Sequence, residues 1–254
     1  MAEWIQRLGG RFVVFDGPEG SGKTTQFARF ADHCRAAAVV VCEVREPGGT
    51  SIGEQIRTVL LDPANTAMSL RCELMLYMAS RAQLIEETIE PALKRGELVL
   101  ADRFISSTLA YQGTAGGMSR QEILEVAHVA VGGNWPDLTV VFDVNDDVAG
   151  TRLNPQLDRV ERKGEGFHRR VRQGFLDQAA ADPDRYLVID AALDPDTVFA
   201  ALLEGLMAFF KHTVPTHREA PEEHDAGTRS PGEEHPGHDS LAVRSDRRDC
   251  RHPR

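Results

Sequence analysis

The sequence has few cysteines and no long apolar runs, and both absences exclude classes of protein. Its 254 residues include four cysteines, which form no C-x-x-C pair and show no framework spacing. Free thiols in a reducing compartment are therefore expected rather than a disulfide-stabilised fold. No apolar run approaches the length that crosses a bilayer, and residues 1–10 lack an apolar core of signal-peptide length. We expect a soluble cytoplasmic protein.

Positive charge is also in short supply. The chain has 29 Lys and Arg against 39 Asp and Glu, which gives a formal net charge of −10. Such a chain has no global basic field to attract DNA, RNA or an anionic membrane. We predict small-molecule partners, no nucleic acid and no membrane, so an anionic ligand must meet a local cluster of basic side chains.

Sizeable apolar side chains are almost missing from the C-terminus, where Leu241 and Val243 are nearly the only ones. Such a stretch cannot bury enough apolar surface to offset its ordering entropy. We therefore predict a folded domain over residues 1–211 and a disordered polar tail over 212–254. Six of the nine histidines lie in this tail. Their irregular spacing favours a solvated tail over a metal site.

The remaining sequence alternates short β-branched runs with longer helical patterns. This alternation predicts an α/β fold in which helices cover both faces of a parallel sheet. The predicted strands are 12–15, 39–44, 98–101, 138–144 and 186–189, and the predicted helices lie near 22–36, 51–61, 69–94, 119–131, 164–181 and 195–210. Ligands of such sheets bind at the carboxyl ends of the strands, so the residues after each run are candidates for chemistry.

A phosphate-binding loop follows the first predicted strand. Residues 17–24 match the pattern G-x-x-x-x-G-K-[ST] in full. The backbone N–H groups of such a turn and the N-terminus of the next helix bind phosphate, and the loop therefore predicts a nucleoside triphosphate. Lys23 is expected to reach the β- and γ-phosphates, and Thr24 to offer its hydroxyl to Mg²⁺. The residues predicted to bind ATP are Gly17, Pro18, Glu19, Gly20, Ser21, Gly22, Lys23, Thr24 and Thr25.

Charged pairs follow the second and third predicted strands. Arg45-Glu46 precedes a Pro-Gly-Gly turn. A guanidinium there suits a phosphate or carboxylate, although a connecting turn with a surface ion pair would also explain the sequence. Asp102-Arg103 ends the third strand beside the loop. Asp102 is expected to hold Mg²⁺, directly or through water, and Arg103 to bind a second anion.

The fourth strand ends at Asp143, which competes with Asp102 as the magnesium-binding acid and is the weaker candidate. A basic cluster follows, made of Arg152, Arg159, Arg162 and Lys163. Arginines that close over a transferring phosphoryl group stabilise its transition state, whereas the alternative is a solvated basic helix.

Tyr77 and Arg81 lie four residues apart in the long predicted helix and so share one of its faces. An aromatic ring beside a guanidinium can stack on a base and hydrogen-bond its edge. Packing in the core explains the same spacing, because Leu74, Met78 and Ile85 continue the stripe.

Six motifs in order resemble the thymidylate kinase family, of the bacterial type, over about residues 10–210. They are the loop at 15–25, Arg45-Glu46-Pro47-Gly48-Gly49-Thr50, Ser80-Arg81-Ala82-Gln83, Asp102-Arg103-Phe104, Ala110-Tyr111-Gln112-Gly113 and residues 157–161. The resemblance implies a P-loop kinase fold of three layers with a five-stranded parallel sheet and a short lid at about 146–166. It also implies transfer of the γ-phosphoryl group of ATP to dTMP, with Mg²⁺, in a homodimer.

The resemblance implies a role for each matching residue. Glu19 would lie near the sugar 3′-hydroxyl, and Arg45 and Arg103 would hold the acceptor phosphate. Tyr77 would stack on the thymine and Arg81 would hydrogen-bond its edge. Tyr111 and Gln112 would line the sugar and base pocket, the tyrosine crowding out a ribose 2′-hydroxyl. The predicted catalytic residues are Lys23, Asp102, Arg103 and the lid residues Arg152 and Arg159.

The sequence departs from the family pattern in the loop, the lid and the base pocket. The loop has no arginine at its variable positions, the lid between residues 150 and 158 carries only Arg152, and Tyr77 replaces the usual phenylalanine. Three alternatives stay open at this point. They are a kinase for another nucleotide or deoxynucleoside acceptor, a nucleotide-dependent switch, and a non-catalytic nucleotide-binding relative.

Overall fold

The computed structural model describes residues 3–152 and 158–212, which form one parallel sheet with helices on both faces. The strands are β1 (Phe12–Asp16), β2 (Val41–Arg45), β3 (Leu98–Asp102), β4 (Leu138–Asp143) and β5 (Tyr186–Asp190). Their order is β2-β3-β1-β4-β5, and every neighbouring pair is parallel. The predicted fold class is confirmed. Phosphate-loop strand β1 occupies the centre, so residues from β3 and β4 flank its carboxyl end.

The two faces of the sheet bury separate apolar clusters, because successive side chains of a strand point to opposite faces. Val13 and Phe15 of β1 pack with Phe30 and Leu202 on one face. Phe12 and Val14 pack on the other face with a second set of helices. Both faces of β1 are therefore buried, which explains its uninterrupted apolar sequence.

The helices agree with the predictions in the main. They are α1 (Glu3–Gln6), α2 (Lys23–Ala36), α3 (Ser51–Leu61), α4 (Leu70–Leu84), α5 (Glu90–Lys94), α6 (Ile105–Thr108), α7 (Arg120–Val131), α8 (Asp146–Arg152), α9 (Glu165–Ala181) and α10 (Pro195–His212). Ser119 and Glu122 form the capping box expected at the start of α7. Asp194 accepts hydrogen bonds from the backbone N–H groups of Asp196 and Thr197, as expected at the start of α10.

Several elements differ from the prediction. The second strand begins at Val41 rather than at 39, because the Val39 N–H bonds Cys34 O and closes α2. The helix expected over 69–94 is divided into α4, a π-helical segment Ile85–Ile89, and α5. Sequence patterns also missed the short helices α1, α6 and α8 and the π-helical segment Leu109–Thr114. Five residues of that segment, from Leu109 to Gly113, are buried.

Two predicted regions fall wholly or partly outside the described residues. The predicted lid over about 146–166 is described except for residues 153–157, and the predicted tail over 212–254 is not described beyond His212. Among the helices that the structure describes, none combines the length and apolar character needed to cross a membrane.

Candidate active site

The phosphate loop is a glycine-rich turn between β1 and α2, here called the phosphate cradle. Gly17, Gly20 and Gly22 have φ angles of 135°, 71° and 76°, which L side chains rarely adopt. A Cβ atom on Gly17 would lie 2.5 Å from Phe142 O, so no side chain fits there. No side chain caps α2, and within the described residues the buried Ser21 Oγ has no hydrogen-bond partner. The loop therefore leaves polar groups available to an anion.

Lys23 is the cation of this cradle. Lys23 is only 7% exposed. Its ammonium group makes no hydrogen bond or ion pair within the part of the chain that is described. Burial lowers the pKa of Lys23, and Arg103 lowers it further, while Asp102 and Glu19 act in the opposite direction. A buried ammonium without a close partner is suited to a phosphate ligand.

Two oxygen donors near the loop suit a magnesium ion. Thr24 is exposed in the first turn of α2, and Asp102 ends β3 directly opposite Phe15 of β1. No hydrogen bond to the Asp102 carboxylate occurs among the described residues. One hydroxyl and one carboxylate fit Mg²⁺, which keeps several waters and binds substrate phosphates. No cluster of three or more acidic, histidine or cysteine ligands exists in the described ranges.

The other acidic residues at the strand ends have structural partners. Arg172 donates two hydrogen bonds, of 2.6 and 2.8 Å, to the Asp143 carboxylate. Asp16 is fully buried and accepts hydrogen bonds from Ser106 Oγ at 2.5 Å and Ser107 Oγ at 2.7 Å. Sequence reasoning assigned no role to Asp16 or to the two serines, although both serines follow the third strand closely.

Arg103 joins the phosphate loop to the segment that follows β3. Its φ of 71° is unusual for a residue other than glycine, and such strained positions cluster at functional sites. Its guanidinium donates to Glu19 Oε1 at 2.8 Å and to Ser107 Oγ at 2.9 Å. Tyr111 Oη also donates to Glu19 Oε1, at 2.9 Å. Although burial opposes the ionised form, Arg103 and Lys23 hold the pKa of Glu19 below its usual value.

One open cavity collects the residues predicted to bind the acceptor. Its lining includes Glu19, Arg45, Tyr77, Arg81, Asp102, Arg103, Tyr111 and Gln112, together with residues that were not predicted, among them Glu46, Arg57, Thr108, Asp158 and Val160. The cavity therefore lies where the carboxyl ends of β2 and β3 meet one face of α4. Tyr77 is half-buried, burial raises the pKa of its hydroxyl, and this hydroxyl has no hydrogen-bond partner within the described ranges.

The two charges that follow β2 have different partners. Arg45 is exposed and pairs with Glu54 at 3.2 Å, whereas Glu46 turns inward and pairs with Arg81. The Glu46 and Arg81 side chains are 3% and 1% exposed. Arg81 Nε lies 2.8 and 3.0 Å from the two Glu46 oxygens, and Arg81 Nη2 lies 2.5 Å from Oε2. The sequence also allowed a connecting turn with a surface ion pair at Arg45-Glu46. Arg45 does form such a surface pair, but Glu46 does not, because its ion pair is buried.

Gln112 and Arg159 meet at the buried carboxylate of Glu73. Gln112 Nε2 donates to Glu73 Oε1 at 2.6 Å, and Arg159 Nη1 lies 2.6 Å from Glu73 Oε2. Lys163 Nζ lies 3.3 Å from Glu73 Oε1. Arg159 therefore pairs with α4 in this structure, and it does not line the cavity. Sequence reasoning missed Glu73, although it stands four residues before Tyr77 and so shares the helix face of Tyr77 and Arg81.

Arg152 of the predicted lid lies beside the phosphate loop. Its guanidinium donates to Ala191 O at 2.9 Å, and a Cβ atom on Gly22 would lie 3.9 Å from its Nη1. Helix α8 packs against the loop, because a Cβ atom on Gly20 would lie 2.6 Å from Ala149 O. Of the two predicted lid arginines, Arg152 is thus the one near the phosphate cradle.

Similarity to known proteins covers most of the chain. A family model described as thymidylate kinase matches residues 15–202. The thymidylate kinase of Deinococcus radiodurans is 47% identical over 195 residues, which is 76% of this chain and 94% of that protein. The thymidylate kinase of Desulforudis audaxviator is 44% identical over 208 residues, or 80% and 93%. A crystal structure of thymidylate kinase from Ehrlichia chaffeensis, 31% identical, matches with a TM-score of 0.64 over 77% of this chain and 97% of that one.

Proposed function

The chain belongs to the thymidylate kinase family and phosphorylates dTMP to dTDP, and from this premise we propose how its residues perform the reaction. ATP is the donor, and its phosphates bind in the loop at 17–25. Among the residues that the structure describes, no side chain caps the N-terminus of α2 and none bonds the Ser21 hydroxyl, and both facts support this assignment. Lys23 neutralises the β- and γ-phosphates, and Arg152 approaches from α8.

Thr24 and Asp102 would hold Mg²⁺, which when bound neutralises phosphate charge between donor and acceptor. The Thr24 hydroxyl and the Asp102 carboxylate can both act as oxygen ligands of a metal ion. Neither group has a hydrogen-bond partner in the described part of the chain.

The acceptor nucleotide binds in the open cavity described above. Arg45 and Arg103 bind its phosphate, and Tyr77 and Arg81 face its base. Tyr111 packs beside the sugar, where its hydroxyl, fixed on Glu19, leaves little space for a ribose 2′-hydroxyl. The single observation that carries the proposal is that all seven residues expected to meet the acceptor line this one cavity, together with Asp102, one of the two residues expected to hold the metal.

The reaction requires little from a general base, because the acceptor phosphate is already largely dianionic near neutral pH. Catalysis then consists of alignment and charge neutralisation. Two polyanions repel each other, so cations are needed near both phosphates. Arg103 lines the cavity and is close enough to Lys23 to lower its pKa, and Arg152 lies beside Gly22 of the loop. These cations favour the transition state because it spreads negative charge over the transferring group.

An acceptor panel tests this function. With ATP and Mg²⁺, dTMP should give a higher kcat/KM than thymidine, UMP or CMP. Preference for UMP or CMP would contradict the proposal. Lys23→Met should lower kcat by about 100-fold or more, since its charge acts on phosphate, while circular dichroism shows an unchanged fold. Unchanged turnover of this variant would refute the role of Lys23.

We also propose that the chain forms a homodimer through helices beside the sheet. Helices α3, α4 and α7 pack in one layer and expose apolar side chains. Met75 of α4 is 54% exposed and Val129 of α7 is 87% exposed. Clusters of exposed apolar side chains are typical of protein interfaces.

A further inference from the structure

The buried carboxylate of Glu73 has no part in the reaction described above. It lies on α4, its side chain is 2% exposed, and it contacts two separate elements of the acceptor cavity. One is the π-helical segment Leu109–Thr114, which carries Gln112. The other is the segment at 158–163, in which Asp158 and Val160 line the cavity while Arg159 and Lys163 pair with Glu73.

The contact with Glu73 determines which group of the Gln112 amide, the oxygen or the NH₂, faces a ligand. An ionised carboxylate only accepts hydrogen bonds, so it binds the NH₂ end of the Gln112 amide. This contact, Nε2 to Glu73 Oε1, measures 2.6 Å. Gln112 lines the cavity, and its Oε1 accepts no hydrogen bond within the described residues. The carbonyl oxygen is therefore the acceptor that the amide leaves for a ligand.

A second residue that lines the cavity, Arg81, is a donor. A guanidinium has five N–H groups. In Arg81, Nε–H donates to Glu46, Nη2 donates to Glu46 and to Thr108 Oγ1, and Nη1 donates to the weak acceptor Met78 Sδ. Within the described residues, the second N–H of Nη1 remains for a ligand. A donor beside an acceptor complements a ring edge that presents a carbonyl next to an N–H. Thymine and uracil present that edge, whereas cytosine presents an amino group next to a bare nitrogen.

We propose that Glu73 is a positioning residue that sets the choice of acceptor base, because it fixes the Gln112 amide with its oxygen toward the cavity. The inference rests on the proposed function, since it assumes that this cavity takes the acceptor base. Arg159 and Lys163 supply the opposite charge that keeps Glu73 ionised. Consistent with this, Gln112, Lys163 and Arg159 together outweigh burial and lower the pKa of Glu73.

The substitution Glu73→Gln tests the proposal, because an amide at this position has only one oxygen. Arg159, at 2.6 Å and largely buried, attracts that oxygen more strongly than Lys163 at 3.3 Å. The new NH₂ group then faces Gln112, which turns and presents its own NH₂ group to the cavity. We expect the ratio of kcat/KM for dTMP to that for dCMP to fall by about tenfold or more, mainly through KM for dTMP.

Lys163→Gln is the matched control, since it removes a charge from Glu73 but leaves the Gln112 contact in place. The dTMP to dCMP ratio of this variant should stay within about twofold of wild type. If Glu73→Gln does not fold, Glu73→Asp replaces it. Asp keeps the charge but shortens the side chain by one methylene, so its ratio should also fall.

The outcomes separate the inference from the proposed function. A Glu73 variant that loses activity equally on dTMP and dCMP would show a merely structural residue and overturn the inference. An unchanged ratio would also overturn it. Wild-type protein that does not prefer dTMP over dCMP would instead overturn the proposed function.

Discussion

Glu46 should be essential for stability even though it lies in a ligand cavity. Its carboxylate is the main partner of Arg81, and the two side chains are 3% and 1% exposed. The substitution Glu46→Met keeps a side chain of similar volume but removes both oxygens. The Arg81 charge then stays buried without an opposite charge, and Nε and one N–H of Nη2 lose their oxygen acceptors.

The expected loss follows from this geometry. Each buried donor left unsatisfied costs about 1–3 kcal/mol, and more when it is charged. Removal of one partner from a buried ion pair costs about 3–5 kcal/mol in measured cases. For a folded domain of about 200 residues, 1 kcal/mol corresponds to about 2–4 °C, so Tm should fall by about 6–20 °C.

Urea and thermal unfolding measure this loss, and the double variant Glu46→Met with Arg81→Met provides the critical comparison. Replacing both charges by apolar side chains leaves no buried charge, so the double variant should regain most of the lost stability. Both variants should bind dTMP poorly. If the double variant were no more stable than Glu46→Met alone, the unpaired charge would not be the cause of the loss.

Two further predictions concern pH and assembly. The folded-state pKa of Glu73 is lowered, so its stabilising effect is complete above the ordinary carboxyl pKa and is lost as pH falls. The Tm advantage of wild type over Glu73→Gln should therefore shrink between about pH 5 and pH 3, and a constant difference would contradict it. For assembly, Val129→Asp should shift a dimer toward monomer in sedimentation analysis, whereas Val188→Asp on edge strand β5 should not. Equal behaviour of the two variants would contradict the proposed face.

The carboxyl ends of the strands could be predicted from the sequence because the strands are short, buried and apolar. Alignment of β1, β2 and β3 then brings Arg45, Asp102 and the phosphate loop together without further information. The pairing of Glu46 with Arg81 could not be predicted in the same way. These residues are 35 positions apart, and local patterns do not report which distant charge is turned inward.

The helical segment after Arg103 shows a second limit of sequence patterns. Residues Leu109–Gly113 are buried on all sides, so they have no alternation of polar and apolar residues that would indicate a helix. Its π-helical turn places Tyr111 on Glu19 and Gln112 on Glu73. Tertiary contacts therefore define this segment, and the same contacts reveal Glu73.

The arginines of the cavity differ in how readily they can exchange partners, and this difference matches their proposed roles. Arg45 and Glu54 are 54% and 49% exposed, and an exposed pair of this kind contributes at most about 1 kcal/mol. A phosphate can displace Glu54 at little cost. Arg81 is instead fixed by a buried carboxylate, which suits recognition of a base edge, where direction matters more than charge. Pairing with Glu54 can thus keep Arg45 ready for a phosphate without leaving its charge unpaired in the meantime.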